Sequence, residues 1–266
     1  MVVQQGRDKP LNKFKVSQYM QMLTSNPKQQ TIIVTGAAGG MGRECCRYFR
    51  ELGWHVLAID HNKKRLESFA GFTDIKVLCI ELDDISLVDS VNELLDKMPP
   101  LWGLVNLAGI SKGDSVENLS DEDWQQSFDV NVTPAFRLTK GVYERMHKDS
   151  QGGSIINVSS PVAYIGARKP SYSASKAAMH GLTTSCARNL GKYNIRVNLL
   201  LPGTTITEMT SDWSEARQQA IAADTLLQRL CTPQEIAEGI AFLLSEHSRY
   251  MTGSILDMTC GGMWGH

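Results

Sequence analysis

The sequence predicts a single α/β domain built on a doubly wound parallel β-sheet with helices on both faces. From Thr31 onward, short apolar runs alternate with helical stretches, which is the pattern of parallel βαβ units. The runs are continuously apolar, as expected for strands covered on both faces. A glycine-rich turn follows the first run, where such sheets commonly bind nucleotides. We expect this domain to span residues 31–266, after an N-terminal extension of residues 1–30.

The predicted strands, in chain order, are "TIIVTG", "HVLAID", "IKVLCIEL", "LWGLVNLAG", "GSIINVSS", "IRVNLLLPG" and "SILDMT". Helical stretches connect them: "MGRECCRYFRELG", "KKRLESFAG", "DDISLVDSVNELLDKM", a longer stretch around Asp121 to Lys148, the stretch that carries Tyr172, and "TPQEIAEGIAFLLS". A looser region precedes the last of these helices. In the N-terminal extension, Phe14 to Leu23 is expected to be helical.

The composition is that of an ordinary globular protein. Hydrophobic residues make up 42% of the chain, and 27 basic side chains balance 28 acidic ones. This near-zero net charge gives no indication of nucleic acid or of an anionic membrane surface as a partner. The longest apolar runs are far shorter than the roughly 20 residues of a membrane span, and the N-terminus lacks the apolar region of a secretory signal. We therefore expect a cytoplasmic protein.

The cysteines give no sign of a metal site or of a disulfide framework. They show neither CxxC spacing nor a Cys/His cluster, so no metal is expected and we interpret them as reduced, mostly packing residues. The six are Cys45, Cys46, Cys79, Cys186, Cys231 and Cys260.

The turn "TGAAGGMG" lies between the first predicted strand and the first predicted helix. Its glycines Gly36, Gly40 and Gly42 would let the backbone approach a pyrophosphate at the positive end of the helix dipole. A glycine-rich stretch alone could be only a tight turn, but this position favours a dinucleotide site.

Asp60 ends the second predicted strand, near the spacing of about 20 residues expected for the acid that hydrogen-bonds an adenosine ribose. A carboxylate there would repel a 2′-phosphate, and no arginine follows immediately, so NAD is favoured over NADP. Lys63 and Lys64, a little beyond, weaken that preference. The alternative is that Asp60 is only a solvated turn residue.

In the stretch "YSASK", Tyr172 precedes Lys176 by one helical turn. Residues at this spacing lie on one helix face, about 5–6 Å apart at their Cβ atoms. An ammonium beside a phenol favours the phenolate and lowers its pKa. Such a tyrosine could exchange a proton near neutral pH, although the same spacing also arises by chance.

Taken in order, "TGAAGGMG", "VNLAG", "FDVNV", "IINVSS", "YSASK" and "VNLLLPGTTITEM" resemble the motifs of the short-chain dehydrogenase/reductase family, from Thr31 to the C-terminus. The resemblance implies a Rossmann fold and a catalytic tetrad of Asn131, Ser160, Tyr172 and Lys176. Tyr172 would be the acid/base, Lys176 would lower its pKa and hold the nicotinamide ribose, and Ser160 would hydrogen-bond the substrate oxygen. Ser159 competes with Ser160 for that role, and adjacent residues of an extended chain point to opposite faces.

The resemblance also implies a cofactor site and a role for individual residues in it. Asp83 would contact the adenine, Asn106 would support the sheet, and Asn131 would hold a water near the lysine. The implied cofactor-binding residues are Gly36, Gly40, Met41, Gly42, Asp60, Asp83, Asn106, Gly109, Tyr172, Lys176, Pro202, Gly203, Thr205 and Thr207.

The first functional hypothesis is an NAD-dependent oxidoreductase that interconverts a secondary alcohol and its ketone by hydride transfer. A non-catalytic NAD-binding sensor or scaffold is a second hypothesis, which the intact tetrad disfavours. A third is an NADPH-dependent 3-oxoacyl thioester reductase of the same fold, which Asp60 and the lack of a basic residue at Gly39 disfavour.

The sequence leaves the substrate open. Tyr164, Ile165, Met209 and Trp213 could form apolar walls, although Trp213 could instead pack on the helix that follows it. The resemblance further implies a homotetramer or homodimer that pairs through the helices around Asn131 and Tyr172. The tail "GGMWGH", with Trp264, could reach a neighbouring subunit.

Overall fold

A computed structural model describes residues 30–150, 152–208, 210 and 213–262. Its centre is a seven-stranded sheet of order β3-β2-β1-β4-β5-β6-β7, and every neighbouring pair of strands is parallel. The predicted doubly wound sheet is therefore confirmed, with all its predicted strands. These are β1 (Thr31–Thr35), β2 (His55–Asp60), β3 (Ile75–Cys79), β4 (Leu101–Asn106), β5 (Gly153–Val158), β6 (Ile195–Pro202) and β7 (Ile255–Met258).

The helices fall where the sequence pattern predicts them, and two short ones occur in regions that were expected to be irregular. In chain order they are α1 (Gly40–Glu51), α2 (Lys63–Leu66), α3 (Leu87–Leu95), α4 (Asp121–Asn131), α5 (Thr133–Ser150), α6 (Val162–Ile165), α7 (Pro170–Leu190), α8 (Glu215–Ala223) and α9 (Pro233–Leu244).

The long stretch around Asp121 to Lys148 is two helices rather than one. Val132 leaves the helical region, with φ −123° and ψ −54°, and Pro134 has no N–H with which to continue the hydrogen bonds of α4. The break matters for the site, because it makes Asn131 the last residue of α4.

Both faces of the sheet are buried, which explains why the strands read as continuous apolar runs. On one face, Ile32 and Val34 of β1 pack with α1 and α9. On the other face, Ile33 packs with α3 and α5. Cys45 and Cys46 lie fully buried in the first of these clusters, and burial raises the pKa of both thiols.

In the part of the chain that the structure describes, no helix has the length and apolarity needed to cross a membrane. The helix predicted for Phe14 to Leu23, the apolar wall at Met209 and the contact proposed for Trp264 all lie outside the described residues.

Candidate active site

The glycine-rich turn after β1 has a backbone that only glycine allows. Gly36 has φ +68°, and a Cβ there would lie 2.8 Å from the Cα of Ala108. A Cβ on Gly42 would lie 2.1 Å from the carbonyl oxygen of Gly36. The turn leads directly into α1, whose first turn carries no acidic residue. The positive end of this helix is therefore left uncompensated by its own side chains.

A cleft of about 500 Å³ runs along the carboxyl ends of the strands, beside this turn. Seven of the predicted cofactor-binding residues line it: Gly36, Gly40, Met41, Gly42, Asp60, Gly109 and Thr207.

Asp60 lines the cleft and is only 8% exposed. Its carboxylate oxygens accept hydrogen bonds from the backbone N–H groups of Ala38, at 3.0 Å, and of Asn62, at 2.9 Å. This burial does not fit a solvated turn residue. Arg65, which the sequence reasoning missed, also lines the cleft. The sequence signal for Arg65 was that it follows Asp60 by about one helical turn.

The contact of Asp83 with the adenine stays a prediction. Asp83 is exposed and lies beside Glu81 and Leu82, which line the cleft, but it is not itself among the lining residues. Leu82 and Asp83 lie in a turn that is closed by the hydrogen bond from the N–H of Asp84 to the carbonyl oxygen of Glu81, at 3.2 Å.

Six further predicted cofactor residues are not among those that line the cleft: Asn106, Tyr172, Lys176, Pro202, Gly203 and Thr205. Asn106 instead supports the sheet, because its amide donates to the side-chain oxygen of Asn157 at 2.8 Å. Pro202 is the buried last residue of β6, and Gly203 lines a separate cavity of about 250 Å³. The hydroxyl of Thr205 is turned inward and donates to the carbonyl oxygen of Gly203 at 2.9 Å.

The two adjacent serines at the end of β5 have different partners. Ser160 lies close enough to Tyr172 to lower the pKa of the Tyr172 hydroxyl. Ser159 points away from it and donates to the backbone carbonyl oxygen of Lys176 at 2.8 Å. Of the two, only Ser160 lies where it can share a substrate oxygen with Tyr172.

The electrostatics of Tyr172 differ from the sequence expectation. Burial raises the pKa of Tyr172, and the nearby Ser160 hydroxyl offsets this rise only in part. Burial also lowers the pKa of Lys176 to about 8. The Lys176 ammonium donates to the carbonyl oxygen of Val158 at 3.0 Å and lies 5.9 Å from the centre of the Tyr172 ring. The expected lowering of the phenol pKa is therefore not found in this arrangement.

Asn131 anchors the loop after β4 to the catalytic helix. Its side-chain oxygen accepts from the N–H of Ile110 at 2.8 Å, and its amide donates to the carbonyl oxygen of Ile110 at 3.0 Å and to the hydroxyl of Ser175 at 2.9 Å. A Cβ on Gly109 would lie 3.0 Å from the Lys176 ammonium. Since Gly109 lines the cleft, Lys176 lies directly beneath the cleft wall.

An ion pair that the sequence did not reveal lies beside the glycine-rich turn, with Glu208 in the lining of the cleft. The Glu208 carboxylate pairs with the guanidinium of Arg43 in the first turn of α1. A Cβ on Gly40 would lie 2.8 Å from a carboxylate oxygen of Glu208 and 2.9 Å from the Thr207 side chain. Burial raises the pKa of Glu208, but backbone hydrogen bonding and Arg43 outweigh it, so the net shift is downward.

The predicted substrate walls are only partly supported by the geometry. Tyr164 and Ile165 are exposed, at 52% and 62%, and Tyr164 contacts His180. The guanidinium of Arg217 stacks 4.1 Å from the centre of the Trp213 ring. Trp213 thus packs on the helix that follows it, which was the alternative interpretation.

Known proteins share this fold and this sequence pattern. A sequence profile of the family described as short chain dehydrogenase matches residues 30–218. The acetoacetyl-CoA reductase of Acinetobacter sp. (strain RA3849) is 34% identical over 250 residues, which cover 90% of this chain and 99% of that protein.

Two solved structures are similar over nearly their whole length. The complex of 4-hydroxyisoleucine dehydrogenase with NADH has a TM-score of 0.82 and 33% identity, and the alignment covers 89% of this chain and 100% of that one. The structure of ElxO with NADP bound has a TM-score of 0.81 and 26% identity, covering 89% and 99%.

The sheet, the glycine-lined cleft and these relatives define an oxidoreductase that uses a nicotinamide dinucleotide. The chain belongs to the short-chain dehydrogenase family.

Proposed function

We propose that this protein is an NAD(H)-dependent oxidoreductase that interconverts a secondary alcohol and its ketone, with Tyr172 as the acid/base. The observation that carries the proposal is the arrangement of Ser160 beside Tyr172, one helical turn from the buried Lys176, whose ammonium lies against Gly109 in the wall of the cleft. Two hydroxyls and an ammonium thereby converge on one small site.

The residues of the cleft fit a dinucleotide. The glycine-rich turn and the N-terminus of α1 would hold the pyrophosphate, Asp60 the adenosine ribose, and Lys176 the nicotinamide ribose. The nicotinamide, when bound, gives a hydride to the substrate carbon or takes one from it.

In the reducing direction, the Tyr172 hydroxyl donates its proton to the carbonyl oxygen of the substrate. The Ser160 hydroxyl donates a hydrogen bond to the same oxygen and stabilises the charge that develops there. In the oxidising direction, the phenolate of Tyr172 takes the proton of the substrate hydroxyl.

The preference for NAD rests on Asp60. A buried carboxylate that already accepts two backbone hydrogen bonds would face a 2′-phosphate as a fixed negative charge. Arg65 opposes this preference, because a guanidinium that lines the same cleft suits a phosphate. We weigh Asp60 more heavily, because it is buried and fixed in place by the backbone of the turn.

A second candidate function is the NADPH-dependent reduction of a 3-oxoacyl thioester. The likeness to an acetoacetyl-CoA reductase and the presence of Arg65 in the cleft favour it. It would use the same tetrad and differ in the cofactor and in the substrate.

Titration with NADH and with NADPH, followed by nucleotide fluorescence, tests the proposal. A panel of cyclic and aliphatic ketones and acetoacetyl-CoA is then added to each complex. Tighter NADH binding with oxidation by a ketone supports the first function. Tighter NADPH binding with turnover of the thioester alone supports the second. Binding without turnover of any carbonyl would instead favour a cofactor-binding sensor.

A further inference from the structure

Behind the catalytic site, a chain of hydrogen bonds links three side chains that the proposed reaction does not use. The Tyr164 hydroxyl lies 2.8 Å from Nδ1 of His180, and Nε2 of the same imidazole lies 3.1 Å from the hydroxyl of Ser159. Ser159 in turn donates to the backbone carbonyl oxygen of Lys176 at 2.8 Å. We refer to Tyr164, His180 and Ser159 as the relay.

The direction of every hydrogen bond in the relay follows from one constraint. The single hydroxyl proton of Ser159 goes to the carbonyl oxygen of Lys176, so Ser159 must accept from His180. His180 therefore carries its proton on Nε2, and its Nδ1 accepts from the Tyr164 hydroxyl. Burial lowers the pKa of His180, which keeps the imidazole neutral and this tautomer in place.

The relay joins three elements around the catalytic serine. Tyr164 belongs to α6, His180 and Lys176 belong to α7, and Ser159 directly precedes Ser160. The rings of Tyr164 and His180 also pack edge to face, with centres 4.6 Å apart. Ser160 thus lies between Ser159 and α6, and His180 is hydrogen-bonded to both of these neighbouring segments.

We propose that His180 is a positioning residue for Ser160: through Ser159 it fixes the backbone from which the Ser160 hydroxyl reaches Tyr172. The inference rests on the proposed function, because the position of Ser160 matters only if that hydroxyl contacts the substrate oxygen. The inner half of the relay, from His180 to Ser159, carries the effect. The outer half, from Tyr164 to His180, orients the imidazole.

The inner hydrogen bond can be removed or kept by the choice of substitution at His180. His180→Leu removes both bonds of the relay, whereas the amide of His180→Gln can still donate to Ser159. Tyr164→Phe removes only the outer bond and keeps the ring packing. With the best ketone of the panel, His180→Leu is expected to lower kcat by roughly tenfold to a hundredfold, the effect of misplacing a catalytic group by up to an ångström. His180→Gln should retain most of the wild-type kcat.

Three readouts separate positioning from a general loss of structure. The dissociation constant for NADH should be unchanged in His180→Leu. In a background of Ser160→Ala, His180→Leu should cause no further loss of kcat, because its effect passes through Ser160. In the wild-type protein without added nucleotide, ¹⁵N NMR should show the proton of the neutral His180 imidazole on Nε2.

Each of these outcomes can overturn the inference. An unchanged kcat in His180→Leu, an equal loss in His180→Gln, a full additional loss in the Ser160→Ala background or a proton on Nδ1 would each contradict it. If the wild-type protein turns over no carbonyl at all, the proposed function fails instead, and the NMR result still tests the relay by itself.

Discussion

The carboxylate of Asp60 accepts a hydrogen bond from the backbone N–H of Ala38 at 3.0 Å. The end of β2 is thereby tied to the glycine-rich turn that follows β1. The residue that we propose to select the cofactor therefore also supports the turn that we propose to bind the pyrophosphate, so a change at Asp60 is expected to affect both parts of the proposed cofactor site.

Replacing Asp60 should relax the preference for NADH. In Asp60→Ala the charge that repels a 2′-phosphate is lost, so the ratio of the NADPH to the NADH dissociation constant should fall. Loss of the hydrogen bond to Ala38 should also lower the free energy of unfolding by about 1–3 kcal/mol. Asp149→Ala is the matched control, because Asp149 is an exposed carboxylate on α5 that is not among the residues lining the cleft. An unchanged ratio in Asp60→Ala would show that selection lies elsewhere, with Arg65 as the next residue to test.

The ion pair of Arg43 and Glu208 should slow cofactor exchange. The pair joins the first turn of α1 to the segment after β6, and Glu208 lies against Gly40 in the cleft. A dinucleotide whose pyrophosphate binds at the N-terminus of α1 is therefore expected to displace Glu208. An exposed pair contributes about 0.2–1 kcal/mol, and Glu208→Gln should therefore raise the association and dissociation rate constants of NADH by about two- to fivefold in stopped-flow fluorescence.

The matched control for this pair is Glu44→Gln, which breaks the pair of Glu44 with Arg47 on the same helix. Glu44→Gln should leave both rate constants unchanged, and Arg43→Gln should add nothing to Glu208→Gln. Unaltered rates in Glu208→Gln would mean that the pair is no barrier to exchange.

Burial of the Lys176 ammonium should lower the free energy of unfolding of the protein. Burial lowers the pKa of Lys176 from 10.5 to about 8, which corresponds to a free energy on the order of 3 kcal/mol. Between pH 8 and pH 10.5 the unfolded chain binds this proton and the folded chain does not, so the contribution of Lys176 to stability rises with pH in that window and is constant below it.

At pH 7, the free energy of unfolding of Lys176→Met should consequently be at least that of the wild-type protein, although the variant loses turnover. The difference in the free energy of unfolding between Lys176→Met and the wild-type protein should decrease between pH 8 and pH 10.5. Denaturant unfolding at several pH values measures this difference. The control is Lys148→Met, which removes an exposed lysine and should show no such trend. A large loss of stability in Lys176→Met at pH 7 would mean that the hydrogen bond to Val158 outweighs burial.

The raised pKa of Tyr172 predicts opposite pH dependences for the two directions of reaction. Because the phenol stays protonated at neutral pH, ketone reduction should be flat there and decline only on the alkaline side. Alcohol oxidation needs the phenolate, so its kcat/KM should rise about tenfold per pH unit below that pKa. A rate of alcohol oxidation that is independent of pH would contradict proton transfer to Tyr172.

The sequence was sufficient for the sheet but not for the details at its carboxyl edge. Strands with both faces buried are recognisable in the sequence from their continuous apolar residues. The turn is recognisable from its glycines, at positions that tolerate no Cβ. The break between α4 and α5 was visible only as Pro134. The pattern does not show which residues after β3 line the cleft: Glu81 and Leu82 do so and Asp83 does not, because the direction of a side chain in a turn depends on packing that the pattern does not encode.

Contacts between separate elements were likewise beyond the sequence. The pair of Arg43 and Glu208 joins residues 165 positions apart, and nothing in either local pattern marks it. His180 lies one turn beyond Lys176 on α7, but its partners lie on other elements. The pKa of Tyr172 shows the same limit: spacing predicts a neighbouring ammonium, whereas burial of the phenol sets the direction of the shift.

The most direct test of the account is single-turnover reduction of the best ketone from the panel by the wild-type protein and by Tyr172→Phe, each saturated with the nucleotide it binds more tightly. The substitution removes the proton donor and little volume, and Tyr143→Phe on α5 is the control. We expect Tyr172→Phe to be slower by at least the roughly 10²–10⁴-fold typical of general acid–base catalysis, with an unchanged dissociation constant for the nucleotide. A rate close to that of the wild-type protein would contradict the central role of Tyr172.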